Sequence, residues 1–223
     1  VDRIIQGVQQ FQRDVYPAHR GLFERLAGGQ SPEALFIACS DSRVSLEWLT
    51  QSKPGDLFVC RNAGNIVPIY GYTDAVSAAI EYAVSALGVK DIVVKGHSDC
   101  GAMKGLLLPA ALADMADVRG WLRHAEEARR AFEAAHVGRR HPEALPALTK
   151  LNVRVQLDHL RTHPRVAAAL REGTLALHGW YYEIASGIVQ AWDAADNRWV
   201  AVHEPYTAIS GRNAEATEEA FHA

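Results

Sequence analysis

The chain has 223 residues, 48% hydrophobic and 22% charged, with a formal net charge of −3. This fits one globular α/β domain spanning residues 1–223, large enough to bury a sizeable core. No basic cluster argues for nucleic acid, and no apolar run approaches the roughly 18 residues that span a bilayer, so neither nucleic acid nor membrane is an expected partner.

Residues 4–27 carry apolar positions at helical spacing, Ile4, Ile5, Val8, Phe11, Val15, Leu22, Phe23 and Leu26, with Pro17 dividing them into two helices and Gly28-Gly29 ending the second. These form a helical arm over residues 1–30. Ala34–Ala38, Leu57–Cys60 and Ile92–Val94 are short uninterrupted apolar runs, as expected of strands buried on both faces. A long helical pattern from Ala75 to Leu87 separates the last two and is closed by Gly88. Strand–helix–strand order predicts a mainly parallel central sheet with flanking helices and right-handed crossovers. Residues 116–135 read as a charged amphipathic helix, 137–147 as a loop with a basic Arg139-Arg140-His141 turn, and Leu148–Leu160 and Val166–Leu170 as helices. Leu175–Ile184 and Ile188–Trp192 read as a hairpin around Ser186-Gly187. Residues 205–223 are a weakly patterned tail.

Two motifs follow apolar runs: Cys39-Ser40-Asp41-Ser42-Arg43 and His97-Ser98-Asp99-Cys100. In an open parallel sheet both fall at the carboxyl ends of strands, where loops from neighbouring strands converge. Two thiolates and one imidazole are the ligand set of a zinc that keeps a fourth position open. A carboxylate and a guanidinium, Asp41 and Arg43, stand at alternate positions past the first ligand, where they can pair; a structural zinc site needs neither. Together they point to metal-activated water beside a proton acceptor, hence a hydrolase or hydratase. Three cysteines make no even-numbered disulfide framework, and two wanted as thiolates suit the cytoplasm. Residues 1–7 have no signal-peptide layout. Cys60 reads as a buried thiol, His178 as a packed structural histidine, His159 and His163 as surface groups, and Asp99 as the cap of the following helix.

The paired metal motifs, with Gly29-Gln30-Ser31-Pro32, Pro54–Val59, Arg61-Asn62-Ala63-Gly64-Asn65, Glu81-Tyr82-Ala83, Gly96–Met103 and Leu177-His178-Gly179-Trp180, resemble the β-class carbonic anhydrases of the bacterial and plant-like branch. The resemblance implies one Zn2+ per chain on Cys39, His97 and Cys100, and reversible hydration of CO2 to bicarbonate and a proton by attack of zinc-bound hydroxide. It makes Asp41 and Arg43 the catalytic dyad, and Gln30, Phe58, Ala63, Tyr82 and Gly101 the substrate pocket. It also implies a homodimer or higher homo-oligomer, with the N-terminal helices extending onto a partner subunit and Gln30 and Tyr82 serving the neighbour's site.

Two other readings share these residues: hydrolysis of CS2 or COS, which are also linear and triatomic, and a non-catalytic zinc-stabilised scaffold, which would be free to lose Asp41, Arg43 and Gln30. A nucleobase deaminase needs H-x-E with P-C-x-x-C, and a zinc dehydrogenase needs a G-x-G-x-x-G cradle; the chain has neither. Some relatives seat bicarbonate on a Trp, an Arg and a Tyr. Here these positions are Phe36, Arg61 and Tyr182, and phenylalanine has no indole N–H to give an anion, so the Asp41–Arg43 pair is expected intact.

Overall fold

The computed structural model describes residues 1–135 and 144–211; the Arg139-Arg140-His141 turn and the end of the tail lie outside the described residues. Described residues fall into two compact units, Val1–Ser31 and Pro32 onward.

The first unit is helical: α1 (Asp2–Gln10), a wider π turn over Phe11–Val15, α2 (Tyr16–Ala18) and α3 (Arg20–Ala27). The break falls at His19 rather than at Pro17: the backbone stays helical through Val15 and Tyr16 into α2 and leaves the helical region at His19, with φ −117° and ψ 17°. Phe11, Tyr16 and Phe23 cluster with ring centroids 5.3–6.2 Å apart. Ile4, Ile5 and Val8 lie on one side of α1 and are exposed.

The second unit contains β1 (Ala34–Cys39), α4 (Leu46–Thr50), β2 (Leu57–Asn62), α5 (Ala75–Tyr82), β3 (Asp91–His97), α6 (Gly101–Leu107), α7 (Ala116–Leu122), α8 (Glu126–Ala135), α9 (Ala144–Thr162), α10 (Pro164–Arg171), β4 (Ala176–Tyr182), β5 (Val189–Asp193) and β6 (Arg198–Ala201). The sheet order is β2-β1-β3-β4-β5-β6; the first four strands are parallel and the last two antiparallel. The chain leaves β1 for β2 on one side and later returns as β3 on the other. The switch point therefore lies between the ends of β1 and β3, at Cys39 and His97.

Local chemistry explains the elements. Every residue of β1 is buried, which accounts for its unbroken apolar run. Asp74 starts α5 by accepting from the N–H of Val76 and Ser77, and Gly88, at φ 64°, ends its π-turn extension. On one face of the sheet Leu35, Ile37, Ile92, Val94 and Leu177 pack against Val153, Leu157 and Leu160 of α9. Gly96 admits that helix: a Cβ there would lie 2.8 Å from Val153 Cγ2. Phe36, Ala38 and Val93 lie on the opposite face with Val44 and Leu46.

Several expectations need correction. Helix α9 begins at Ala144, before the expected Leu148, because Pro146 sits in its first turn, where a ring is tolerated. Strand β6 was not expected, being only four residues long. Residues 205–209 are docked: Ile209 is buried and exchanges backbone hydrogen bonds of 2.8 and 3.0 Å with Leu177. No described helix is long and apolar enough to cross a membrane.

Candidate active site

Cys39 ends β1, His97 ends β3, and Cys100 stands at the N-cap of α6. All three are buried, and their ligand atoms lie within 4.8 Å of one another. The two sulfurs are 3.9 Å apart. Two zinc–sulfur bonds of about 2.3 Å at a tetrahedral angle would separate their sulfurs by about 3.8 Å. His97 Nδ1 is 2.8 Å from the Ser98 carbonyl, so Nδ1 carries the proton and donates it there. Its Nε2, fully buried, has no hydrogen-bond partner among the described residues, which is costly unless that lone pair meets a cation. The donor set thus fits zinc on charge, distance and tautomer.

The sulfurs are prepared for negative charge. The Gly64 N–H donates to Cys39 Sγ at 3.4 Å, and Cys100 stands at the N-cap of α6, where the nearby backbone N–H groups favour its thiolate. Cys39 is held low, chiefly by the hydrogen bond from Cys100. Cys100 is driven up by that neighbour and by burial, so a dication is what lets both ionise. Gly64 lies at φ +85°, and a Cβ on it would meet Ala102 Cβ at 3.0 Å and Met103 Cε at 3.1 Å, so only glycine brings this N–H to the sulfur.

Asp41 and Arg43 form a two-point pair: Nε donates to Oδ1 at 3.0 Å and Nη2 to Oδ2 at 2.8 Å. The Arg43 backbone N–H adds a third bond to Oδ1, of 2.9 Å. These donors hold the Asp41 carboxyl well below the usual carboxylate range. Its Oδ2 lies 3.9 Å from His97 Nε2, which puts the carboxylate at the edge of the ligand cluster. The expected pairing is therefore present.

The expected pocket residues lie on several elements. Phe58 meets Tyr82, with centroids 5.8 Å apart, and packs on the apolar layer under the sheet, whereas Cys39 and Cys100 belong to the layer of Ile66 and Met103. Tyr82 is half exposed. Ala63 accepts from Trp121 Nε1 through its carbonyl, 2.9 Å away, and Gly101 opens α6 beside Cys100. Gln30 lies in the N-terminal unit.

Sequence reasoning missed the scaffold behind the ligands. Arg61 donates to the carbonyls of Cys39, Asp41 and Val44 at 2.6–3.2 Å, clamping the loop that carries the dyad. Ser98 accepts from the Ile184 N–H at 2.9 Å, and its own N–H donates to Tyr182 O. One polar face of α9, with His163 at the N-cap of α10, holds the Gly64–Pro68 backbone. Asn152 donates to Gly64 O, Gln156 accepts from Val67 N–H, and ring nitrogens of His159 and His163 bond Val67 O and Pro68 O. His159 and His163 are therefore buried, contrary to their reading as surface groups. Their spacing with Asn152 and Gln156 on one helical face was the available signal, but a polar stripe reads equally well as solvated. Asp99 does not cap α6; it pairs with Arg43 and Lys104. His178 is structural as expected, bridging Asp91 and Tyr206 at 2.9 Å each. Lys95 is fully enclosed, its Nζ 4.7 Å from the centre of the Tyr182 ring, and burial lowers its pKa to about 8.

A switch-point sheet with a Cys–His–Cys cluster that could hold a metal ion, beside a carboxylate–guanidinium pair, is the arrangement of an enzyme site. The family described as carbonic anhydrase matches residues 34–189. A carbonic anhydrase of Pseudomonas aeruginosa is 54% identical over 216 residues, covering 96% of this chain and 98% of the relative. The solved structure of the β-carbonic anhydrase CcaA superimposes with a TM-score of 0.90 at 42% identity, covering 97% of this chain and 96% of that one. One of two tetrameric β-carbonic anhydrases from Sordaria macrospora gives a TM-score of 0.69 at 32% identity, covering 91% of this chain and 93% of that one. The chain belongs to the carbonic anhydrase family of enzymes, in its β class.

Proposed function

We propose that this chain catalyses the reversible hydration of CO2 to bicarbonate and a proton, with one zinc ion held by Cys39, His97 and Cys100. The observation that carries this is the orphaned, fully buried His97 Nε2, aimed into a cluster whose sulfurs stand at zinc spacing beside an ionised Asp41. Bound zinc would supply Lewis-acid activation of a water, whose pKa such ions lower from about 15.7 towards about 7. Asp41 would accept a hydrogen bond from a water beside the ligand cluster and orient it. Arg43 holds both carboxylate oxygens, so Asp41 stays ionised and stays in place. The Gly64 N–H steadies the Cys39 thiolate, and the start of α6 that of Cys100.

In this reading Ala63 and Gly101, with Gln30, Tyr82 and the Phe58 that packs on Tyr82 from a neighbouring subunit, form the narrow substrate pocket. The half-exposed Tyr82 and the bare apolar side of α1 support an assembly of at least two copies. The three free thiols suit the reducing cytoplasm.

The test is a stopped-flow assay of CO2 hydration beside one of COS hydrolysis, on the zinc-loaded protein. Turnover of CO2 well above that of COS is the expected result. No CO2 turnover in zinc-replete protein would contradict the proposal.

A further inference from the structure

The Arg43 guanidinium has a second carboxylate. Its Nη1 donates to Asp99 Oδ2 at 2.9 Å, and its Nη2 to the Asp99 carbonyl at 3.2 Å. The other Asp99 carboxylate oxygen meets Lys104 Nζ, from α6. Asp99 lies between the two later ligands, in the left-handed conformation with φ 58°. One edge of the planar fork, Nε and Nη2, faces Asp41, while the Nη1 end faces Asp99. The contact joins the loop after β1, which carries the dyad, to the loop after β3, which lies between His97 and Cys100.

The Arg43 side chain is 45% exposed. A long side chain at that exposure samples many rotamers, and one carboxylate alone leaves the guanidinium free to swing with it. Two carboxylates on different edges of a rigid fork leave one arrangement. Lys104 in turn neutralises the charge of Asp99 that Arg43 does not.

We propose that Asp99, steadied by Lys104, is a positioning residue that holds Arg43 in the orientation that presents Asp41 to the reacting water. This rests on the reading that Asp41 serves the reaction. The Asp99 carboxylate meets Arg43 and Lys104, and acts through Arg43.

Asp99→Gly keeps the positive φ and removes the carboxylate, and Asp99→Asn keeps shape and φ but removes the charge, so neither strains the ligand loop. Each is made in the native background and in Asp41→Asn, and kcat, KM, zinc content and a crystal structure are obtained. In the native background Asp99→Gly is expected to lower kcat roughly two- to fivefold, the range of a lost exposed charge contact. Asp99→Asn should lose less, with KM and zinc unchanged in both. In the Asp41→Asn background Asp99→Gly should cost nothing further, because the pair it supports is already broken. The crystal structure of Asp99→Gly should show Arg43 in more than one conformer. An unchanged kcat, an equal loss in both backgrounds, a loss of zinc or an unmoved Arg43 would each overturn the proposal. Native activity in Asp41→Asn alone would remove the reading beneath it, which is a separate and recognisable outcome.

Discussion

Asp41 and Arg43 meet through two parallel hydrogen bonds, of 3.0 and 2.8 Å, while Asp41 Oδ2 stays 3.9 Å from His97 Nε2. The carboxylate is thus held at the edge of the ligand cluster, close enough to serve a water there and restrained from joining the ligands.

Asp41→Asn should keep its zinc and lose about 10²-fold or more in kcat, the scale of a lost proton acceptor. The amide cannot accept the water's hydrogen bond while holding Arg43 with a full charge. Metal content and stopped-flow rates on one preparation check this; native turnover would take Asp41 out of the mechanism.

Cys39→Ser and Cys100→Ser should lose zinc and activity together. A serine hydroxyl replaces a thiolate poorly, and in Cys39→Ser the Gly64 N–H is left facing a weaker charge. Elemental analysis after dialysis is the check, and full zinc occupancy in either variant would overturn the ligand assignment.

Gly64→Ala should destabilise the fold by about 1–3 kcal/mol, because it combines a positive φ with Cβ contacts of 3.0 and 3.1 Å. Zinc affinity should fall with it, since the Gly64 N–H retreats from Cys39. Denaturant midpoints with and without zinc measure both effects, and a native midpoint would show that the loop relaxes freely.

Gln156→Leu tests the scaffold under the site. It strips the acceptor from the Val67 N–H, now 2.7 Å from Oε1, and leaves a buried donor unpaired. Unmade buried hydrogen bonds cost about 1–3 kcal/mol. The variant should melt earlier while retaining zinc, and unchanged thermal stability would contradict the role given to α9.

The parts of the site that obey local rules were legible in the sequence. Cys39, His97 and Cys100 follow apolar runs, and a parallel sheet brings strand ends together, so spacing and fold class sufficed. Asp41 and Arg43 were readable for the same reason, being close along the chain. The hairpin and Gly88 announced themselves through turn chemistry. What stayed hidden depends on tertiary partners. Nothing local shows that His159 and His163 bond the carbonyls of a loop about 90 residues earlier, or that Arg61 clamps three carbonyls. Asp99 looked like a helix cap because caps are common, but its partner Arg43 lies 56 residues away. Ile209 lacks a strand pattern around it and is fixed only by its bridge to Leu177.

The bare side of α1 should drive assembly. Ile4→Asp with Val8→Asp should shift sedimentation towards a smaller species and lower activity if Gln30 and Tyr82 serve a neighbour. An unchanged sedimentation profile would contradict that use of the arm.

Zinc titration into the metal-free protein, followed by stopped-flow CO2 hydration, asks whether one ion on Cys39, His97 and Cys100 carries the reaction. The rate should rise linearly and break at one zinc per chain. A rate independent of zinc, or a break at another stoichiometry, would contradict that assignment.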